Sequence, residues 1–146
     1  MVGVVTETWM NGDNGEVRER LSEEAGIGFL SRNRTTAAAK GQTYGGVALL
    51  WRENACSARR INFPNPGDFE VLPAAGSVRG HSRKLIILAC YLPSNYSKQR
   101  SADELEHIND LIVHVERKFT DPFIIIAGDF NPVSYTHLTL PTTPYV

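Results

Sequence analysis

The chain has 146 residues, which is enough for one domain of ordinary size. Hydrophobic residues make up 42% of it and charged residues 21%, which excludes wholesale disorder and a collagen-like chain. Lys and Arg together number 15 and Asp and Glu 16, so the formal charge is −1 and any nucleic-acid site must be local rather than part of a broad basic surface.

Cysteine content and hydropathy bear on the cellular compartment of the protein. The two cysteines, Cys56 and Cys90, are too few for a disulfide scaffold and fit a reduced intracellular compartment. No apolar run approaches the ~20 residues of a membrane span, so we expect no membrane partner. The first residues, MVGVVTETW, lack the pattern of a signal peptide.

The first half of the chain is predicted to contain short strands and one helix. Apolar and β-branched runs predict strands at 2–5, 27–30, 44–52 and 56–63. Val17 and Leu21, four positions apart and followed by Gly26, predict a helix over 16–25. The turn residues at 53–54 predict that the strands on either side of them pair as a hairpin.

The second half is predicted to contain the central strands and the main helix. A short strand at 69–72 and a loop at 74–80 precede two apolar runs, 84–92 and 123–127, which are typical of strands buried on both faces. Between these runs, Ser101 and Glu104 have the spacing of a capping box and predict a helix over 101–119. Its predicted apolar face consists of Leu105, Ile108, Leu111, Ile112, Val115 and Phe119. The fold class predicted is mixed α/β with two buried central strands.

The last fourteen residues, 133–146, differ from the rest of the chain. They contain no Asp, Glu, Lys or Arg, and they continue none of the preceding periodicities. Back-translation of VSYTHLTLPT resembles the adapter end of a transposon-based sequencing library. We therefore interpret 133–146 as a non-native tail and exclude it from fold reasoning. The alternative is a native, unusually uncharged terminus.

Four polar residues follow or end apolar strands. Glu7 follows the first strand, Tyr91 lies at the end of the strand that starts at Lys84, and Asp129 and Asn131 follow the last strand. Strand ends can present side chains to a common crevice, and carboxylate and amide oxygens suit Mg²⁺. Asp129 and Asn131 would share a face if the backbone stays extended. Ordinary turn chemistry is the alternative interpretation.

Four short motifs occur in a characteristic order. They are E-T-W at 7–9, G-G-V-A at 45–48, Y-L-P at 91–93 and G-D-F-N-P at 128–132. Together they resemble the endonuclease/exonuclease/phosphatase superfamily, which includes deoxyribonuclease I and the apurinic endonucleases. The resemblance is greatest to the endonuclease domain of non-LTR retrotransposons and covers residues 1–132. It implies a deoxyribonuclease-I-like β-sandwich flanked by helices, of α/β (α+β) class.

The resemblance implies roles for these residues. The matching glutamate, Glu7, would bind Mg²⁺ or Mn²⁺, and Tyr91 would contact or orient the scissile phosphate. Asp129 would orient or activate water or assist the leaving group, and Asn131 would hold the phosphate. The implied activity is DNA nicking that leaves a 3′-hydroxyl for a reverse transcriptase of the same polyprotein. A nuclear location is expected if the source is a eukaryotic retroelement.

The chain also departs from the family pattern. Nothing before Val2 matches the family's first strand, and nothing matches its terminal Asp-His pair. We therefore expect residues 1–132 to be a partial domain and the chain itself to lack nuclease activity. The alternatives are a non-functional fragment, a phosphatase or lipid phosphodiesterase of the same fold, and, more weakly, a DNA-binding module without catalysis. The oligomeric state stays open.

A basic loop precedes the strand that begins at Lys84. Arg79 and Arg83 flank His81 there, and in the family such loops can face the DNA backbone. We predict Arg79 and Arg83 as nucleic-acid contacts and His81 as a possible phosphate contact, with a solvated loop as the alternative.

Two histidines and two tryptophans have structural interpretations. His107 and His114 fall outside the predicted apolar stripe of the long helix and are predicted to lie on the surface. Trp9 and Trp51 are in strand-like contexts, so core packing is favoured over base stacking for both.

Overall fold

The computed structural model describes residues 2–10, 14–33, 45–63, 69–93 and 97–131, and the predicted tail at 133–146 lies outside them. Seven strands form two sheets, one of order β1-β3-β2 and one of order β4-β5-β6-β7. The strands are β1 (Val2–Thr6), β2 (Ile27–Arg32), β3 (Val47–Arg52), β4 (Cys56–Arg60), β5 (Val71–Val78), β6 (Lys84–Tyr91) and β7 (Phe123–Asp129); the helices are α1 (Gly15–Ala25) and α2 (Lys98–Lys118).

Three layers share the core, in the order α2, four-stranded sheet, three-stranded sheet. One core cluster joins Ile108, Leu111 and Val115 of α2 to the four-stranded sheet. A second cluster fills the space between the two sheets, where Leu49 meets Ile87. Helix α1 packs against β2. Two packed sheets flanked by helices confirm the predicted fold class.

Strand β6 confirms the prediction of a strand buried on both faces. Its even-numbered residues, such as Ile86 and Leu88, face α2, and its odd-numbered residues, such as Ile87 and Ala89, face the other sheet. Successive side chains of a strand point to opposite faces, so a strand between two apolar layers must be apolar throughout.

Two predictions about the middle of the chain are wrong. Strand β4 pairs with β5 in the four-stranded sheet, and not with β3 as a hairpin. The turn after Arg52 carries the chain from one sheet to the other, and Cys56 then packs into the cluster between the sheets. The segment predicted as a loop is most of β5, where small residues fit tightly: a Cβ on Gly76 would lie 3.1 Å from the carbonyl oxygen of Ser57.

Helix α2 begins earlier than predicted. Its N-cap is Ser97, whose hydroxyl accepts a hydrogen bond from the Arg100 amide at 3.1 Å. Ser101 and Glu104 lie inside the helix and are buried, so the predicted capping box is wrong. Leu105 is 53% exposed, because Glu104 and not Leu105 lies on the buried face at this turn of the helix. The buried residues of α2 are Ser101, Glu104, His107, Ile108, Leu111 and Val115.

Burial also corrects two predictions for aromatic and imidazole side chains. His107 is 8% exposed, and its ring packs against Phe63 and Phe69, so the surface prediction for it is wrong. Trp51 lies in the core as predicted, but Trp9 is 56% exposed because it follows β1 beyond the end of the sheet.

Strand β7 is the outer strand of its sheet and pairs only with β6 among the described strands. Phe123, Ile125 and Ile126 are each more than a third exposed there. Apolar strand edges of this kind are uncommon on isolated domains, because their unpaired backbone groups invite association. Of the helices in the described ranges, none has the length and apolar character to cross a membrane.

Candidate active site

The sheet topology brings three of the predicted site residues to one edge of the sandwich. Strands β6 and β7 are parallel, and their register places Tyr91 opposite Asp129 at the point where both strands end. Strand β1 contacts both of them and ends at Thr6, so Glu7 emerges at the same edge. Parallel neighbours must end at a common edge, which is why residues far apart in sequence meet here.

Glu7 and Tyr91 are in direct contact. The Tyr91 hydroxyl donates a hydrogen bond to Oε1 of Glu7 at 2.5 Å, a length typical of a charge-assisted bond. Tyr91 is 7% exposed with its ring in the core between the sheets, whereas Glu7 is exposed. The rigid phenol therefore holds a carboxylate that otherwise faces solvent.

Asp129 is held by its own backbone and by the turn after it. Its carbonyl oxygen accepts from the Leu92 amide at 2.8 Å, and its Oδ1 accepts from the Asn131 amide at 3.0 Å. Asn131 has φ 26°, so the backbone turns after Asp129. The prediction that Asp129 and Asn131 share a face of an extended segment is therefore wrong, because the side chain of Asp129 stabilises a local turn.

Gly128 allows β7 to lie this close to β6. It has φ 148°, and a Cβ there would lie 1.8 Å from the carbonyl oxygen of Cys90. Only glycine fits such a close approach of two backbones. The glycine of the G-D-F-N motif therefore determines where the carboxylate of Asp129 stands.

Sequence reasoning missed one carboxylate at this edge. Glu70 is 1% exposed, and its Oε2 accepts from the amide of Gly46 at 2.6 Å. It precedes β5 without any motif around it, and the glycine pair 45–46 was the one local signal of a close approach.

The basic loop residues lie elsewhere. Arg79, His81 and Arg83 are at or next to the turn between β5 and β6, at the opposite end of β6 from Tyr91. Strand rise places about 25 Å between Arg83 and Tyr91. Arg83 also bonds Asp121, with Nη2 2.9 Å from Oδ1. The structure does not bring Arg79, His81 or Arg83 together with the carboxylates, and their contact with nucleic acid stays a prediction.

Neither Cys90 nor His107 supplies a reactive group to this edge. Burial raises the pKa of the Cys90 thiol to about 12, with a further contribution from the charge of Glu104. Burial lowers the pKa of His107, and the charge of Arg32 lowers it further. The thiol therefore stays protonated at neutral pH and is no nucleophile.

The donor set at the edge fits a hard divalent cation. Within the described ranges, no three His, Cys, Asp or Glu residues form a cluster of the kind that encloses a metal. Mg²⁺ is commonly held by one or two carboxylates together with water and substrate phosphate rather than by an all-protein cage. The exposed carboxylate of Glu7 meets that requirement.

Fold and site together define a protein of the deoxyribonuclease-I-like class. The sequence profile of the Endonuclease/Exonuclease/phosphatase family matches residues 2–131. The chain belongs to this family, whose enzymes generally depend on a divalent metal. No curated protein matches the sequence significantly.

Solved structures show the same fold at low sequence identity. ANGEL2, a 2′,3′-cyclic phosphatase solved with adenosine-2′,3′-vanadate, is 19% identical with a TM-score of 0.64, over 92% of this chain and 40% of that one. A mannosyl-6-phosphatase of Bacteroides thetaiotaomicron is 13% identical with a TM-score of 0.59, over 89% and 51%. D. rerio TDP2, solved with a single-strand DNA product, is 17% identical with a TM-score of 0.51, over 90% and 48%. The chain spans about half the length of these structures or less.

Proposed function

We propose that the chain is part of a Mg²⁺-dependent phosphodiesterase that nicks DNA, of the kind that non-LTR retrotransposons encode beside a reverse transcriptase. The observation that carries the proposal is the contact between Glu7 and Tyr91 at the edge where Asp129 also lies. The order of the E-T-W, G-G-V-A, Y-L-P and G-D-F-N-P motifs supports the retroelement branch. The DNA product bound to TDP2 supports nucleic acid as the substrate class.

The chain's own residues supply positioning and charge. Phosphodiester hydrolysis is largely a matter of orienting the reactants and stabilising the charge that develops on phosphate oxygens. Glu7 would hold Mg²⁺, which neutralises that charge when bound. Tyr91 keeps the carboxylate of Glu7 in place, and its buried ring limits the movement of both groups. Asp129 orients the attacking water, and the side-chain amide of Asn131 donates to a phosphate oxygen.

A phosphatase or lipid phosphodiesterase is the second candidate. ANGEL2, a 2′,3′-cyclic phosphatase, and the bacterial mannosyl-6-phosphatase share this fold and act on other phosphate esters. The same carboxylate and phenol would serve those substrates, because the charge chemistry at the phosphate is shared.

Metal binding is the first test. Isothermal titration with Mn²⁺ is expected to show one site on the chain, and Glu7→Gln should abolish it. Glu53→Gln is the matched control, because Glu53 is an exposed carboxylate bonded to Ser22. Binding that persists in the Glu7 variant, or no binding by the unaltered chain, would remove the basis of the proposal.

Substrate class is the second test. A fluorescein-labelled DNA duplex is expected to bind more tightly with Mn²⁺ than with EDTA, and inorganic phosphate should compete weakly. Competition by a sugar phosphate at lower concentration than by DNA would favour the phosphatase candidate. We expect the chain itself to leave supercoiled plasmid intact, and nicking that Asp129→Ala abolishes would contradict that expectation while supporting the phosphodiesterase.

A further inference from the structure

Glu70 is a buried carboxylate beside the candidate site. Its side chain is 1% exposed, and carboxylates are almost never buried to this degree without compensating partners. One oxygen, Oε2, accepts a hydrogen bond from the backbone amide of Gly46 at 2.6 Å. A bond of this length from a backbone donor to a carboxylate is of the charge-assisted kind.

The backbone at Gly45 and Gly46 lies close to this carboxylate. Gly45 and Gly46 have φ values of 94° and 92°, which side-chain-bearing residues rarely adopt. A Cβ on Gly45 would lie 2.5 Å from Oε2 of Glu70, and one on Gly46 would lie 2.6 Å from Oγ1 of Thr8. The Gly45–Gly46 segment therefore fits between Glu70 on one side and the segment after Glu7 on the other.

The same segment holds the backbone next to Glu7. The carbonyl oxygen of Gly45 accepts from the Trp9 amide at 3.0 Å, and that of Gly46 accepts from the Thr8 amide at 3.4 Å. Glu7 and Trp9 both have φ 52°, in the left-handed region that is unfavourable for them. Backbone in this region persists only where its surroundings hold it there, and these two bonds supply that restraint.

Glu70 also holds Tyr91, the hydrogen-bond partner of Glu7. Its backbone carbonyl oxygen accepts from the Tyr91 amide at 3.0 Å, and the Tyr91 hydroxyl donates to Glu7. Hydrogen bonds join the Glu70 carboxylate to the glycine pair and the glycine pair to Thr8 and Trp9, which follow Glu7 in the chain. Two further bonds, from Tyr91 to Glu7 and from the Tyr91 amide to the Glu70 backbone, close the path.

We infer that Glu70 is a positioning residue, which sets the place of Glu7 relative to Tyr91 through the Gly45–Gly46 segment. The inference rests on the proposed function, in which Glu7 holds the metal. Glu70 touches neither metal nor phosphate in this role and acts through the backbone that it restrains.

Two substitutions separate this role from simple filling of space. Glu70→Met is similar in length but leaves the Gly46 amide without an acceptor, whereas Glu70→Gln keeps an acceptor oxygen. By NMR, without metal, Glu70→Met is expected to speed hydrogen exchange at the Thr8 and Trp9 amides about tenfold, and Glu70→Gln less than about threefold. Exchange in the interior of β3 should not change in either variant, and Glu53→Met, at an exposed carboxylate, should match the unaltered chain. Equal effects of Met and Gln, or none, would overturn the inference.

Metal affinity and one chemical shift complete the test. Mn²⁺ affinity should fall about tenfold in Glu70→Met and stay within about threefold in Glu70→Gln. If the Met variant does not fold, the Gly46 amide proton should still move upfield in Glu70→Gln as its charged acceptor is lost, and an unmoved resonance would overturn the inference. A chain that shows the expected exchange but no Glu7-dependent Mn²⁺ binding would instead count against the proposed function.

Discussion

The Tyr91 hydroxyl donates to Oε1 of Glu7 across 84 positions of sequence. Tyr91 ends a buried strand of one sheet, and Glu7 follows an edge strand of the other, so this bond ties the two sheets together at the candidate site. Tyr91 is rigid because its ring is in the core, and Glu7 is exposed to solvent. Such an arrangement presents a carboxylate to solvent without letting it move freely.

A double-mutant cycle measures this contact. Tyr91→Phe keeps the ring in the core and removes the donor, and Glu7→Gln removes the charged acceptor. We expect a coupling of about 1 kcal/mol in the free energy of unfolding in urea, because the bond is charge-assisted but partly exposed to water. Additive effects of the two substitutions would show that the contact does not form in solution.

Gly128→Ala is expected to destabilise the chain severely. The new Cβ would lie 1.8 Å from the Cys90 carbonyl oxygen, so the two strands must separate. We expect a loss of about 3 kcal/mol or more in the free energy of unfolding. Gly3→Ala is the matched control, because a Cβ there meets nothing within 4 Å. Equal stability of the two variants would contradict the observed approach of β7 to β6.

Two leucines of α2 test the corrected helix face. Leu111 is 1% exposed in the core cluster, and Leu105 is 53% exposed. Leu111→Ala should cost about 2–5 kcal/mol through lost burial and a cavity, and Leu105→Ala less than about 0.5 kcal/mol. Urea denaturation of both variants measures these losses. A larger loss in Leu105→Ala than in Leu111→Ala would show that Leu105 is buried, as the sequence predicted.

His107 makes stability depend on pH. Its pKa is lowered by burial and by Arg32, with Asp110 opposing, so it lies below the ~6.5 of the unfolded chain. The unfolded chain then binds more protons in acid, and the contribution of His107 is complete above about pH 6.5 and declines as the pH falls below it. The urea midpoint should drop from pH 7.5 to 5.5, less so in His107→Gln. His81→Gln, at an exposed imidazole, should keep the full decline; an unchanged decline in the His107 variant would refute the assignment.

The exposed apolar strand β7 predicts self-association. Ile125 is 39% exposed on an edge strand, so concentrated protein should elute ahead of a monomer in size-exclusion chromatography with light scattering. Ile125→Lys is expected to shift the distribution toward monomer, as charge on an edge opposes pairing. Val17→Lys, at a similarly exposed apolar residue on α1, should change it little. A chain that is monomeric before substitution would contradict this prediction.

Local sequence patterns predicted the elements that are buried on both faces. The run that became β6 is apolar from Leu85 to Cys90, and burial on both faces accounts for that. Helix α2 was predicted as a helix, but its first turn and its buried face were not. Ser97 and Ser101 are equally good caps by residue type, and which one begins the helix depends on how α2 meets the sheet.

The sequence by itself determined the fold class and the family, because apolar periodicity and short motifs are local properties of the chain. It also indicated Glu7, Tyr91 and Asp129 as candidates. Only the tertiary structure decided that Tyr91 bonds Glu7, that Arg83 lies at the far end of β6, and that Glu70 accepts a hydrogen bond from the Gly46 amide. The reason is physical: strand pairing between distant segments decides which side chains meet, and a buried carboxylate without a motif becomes recognisable only when its partners surround it.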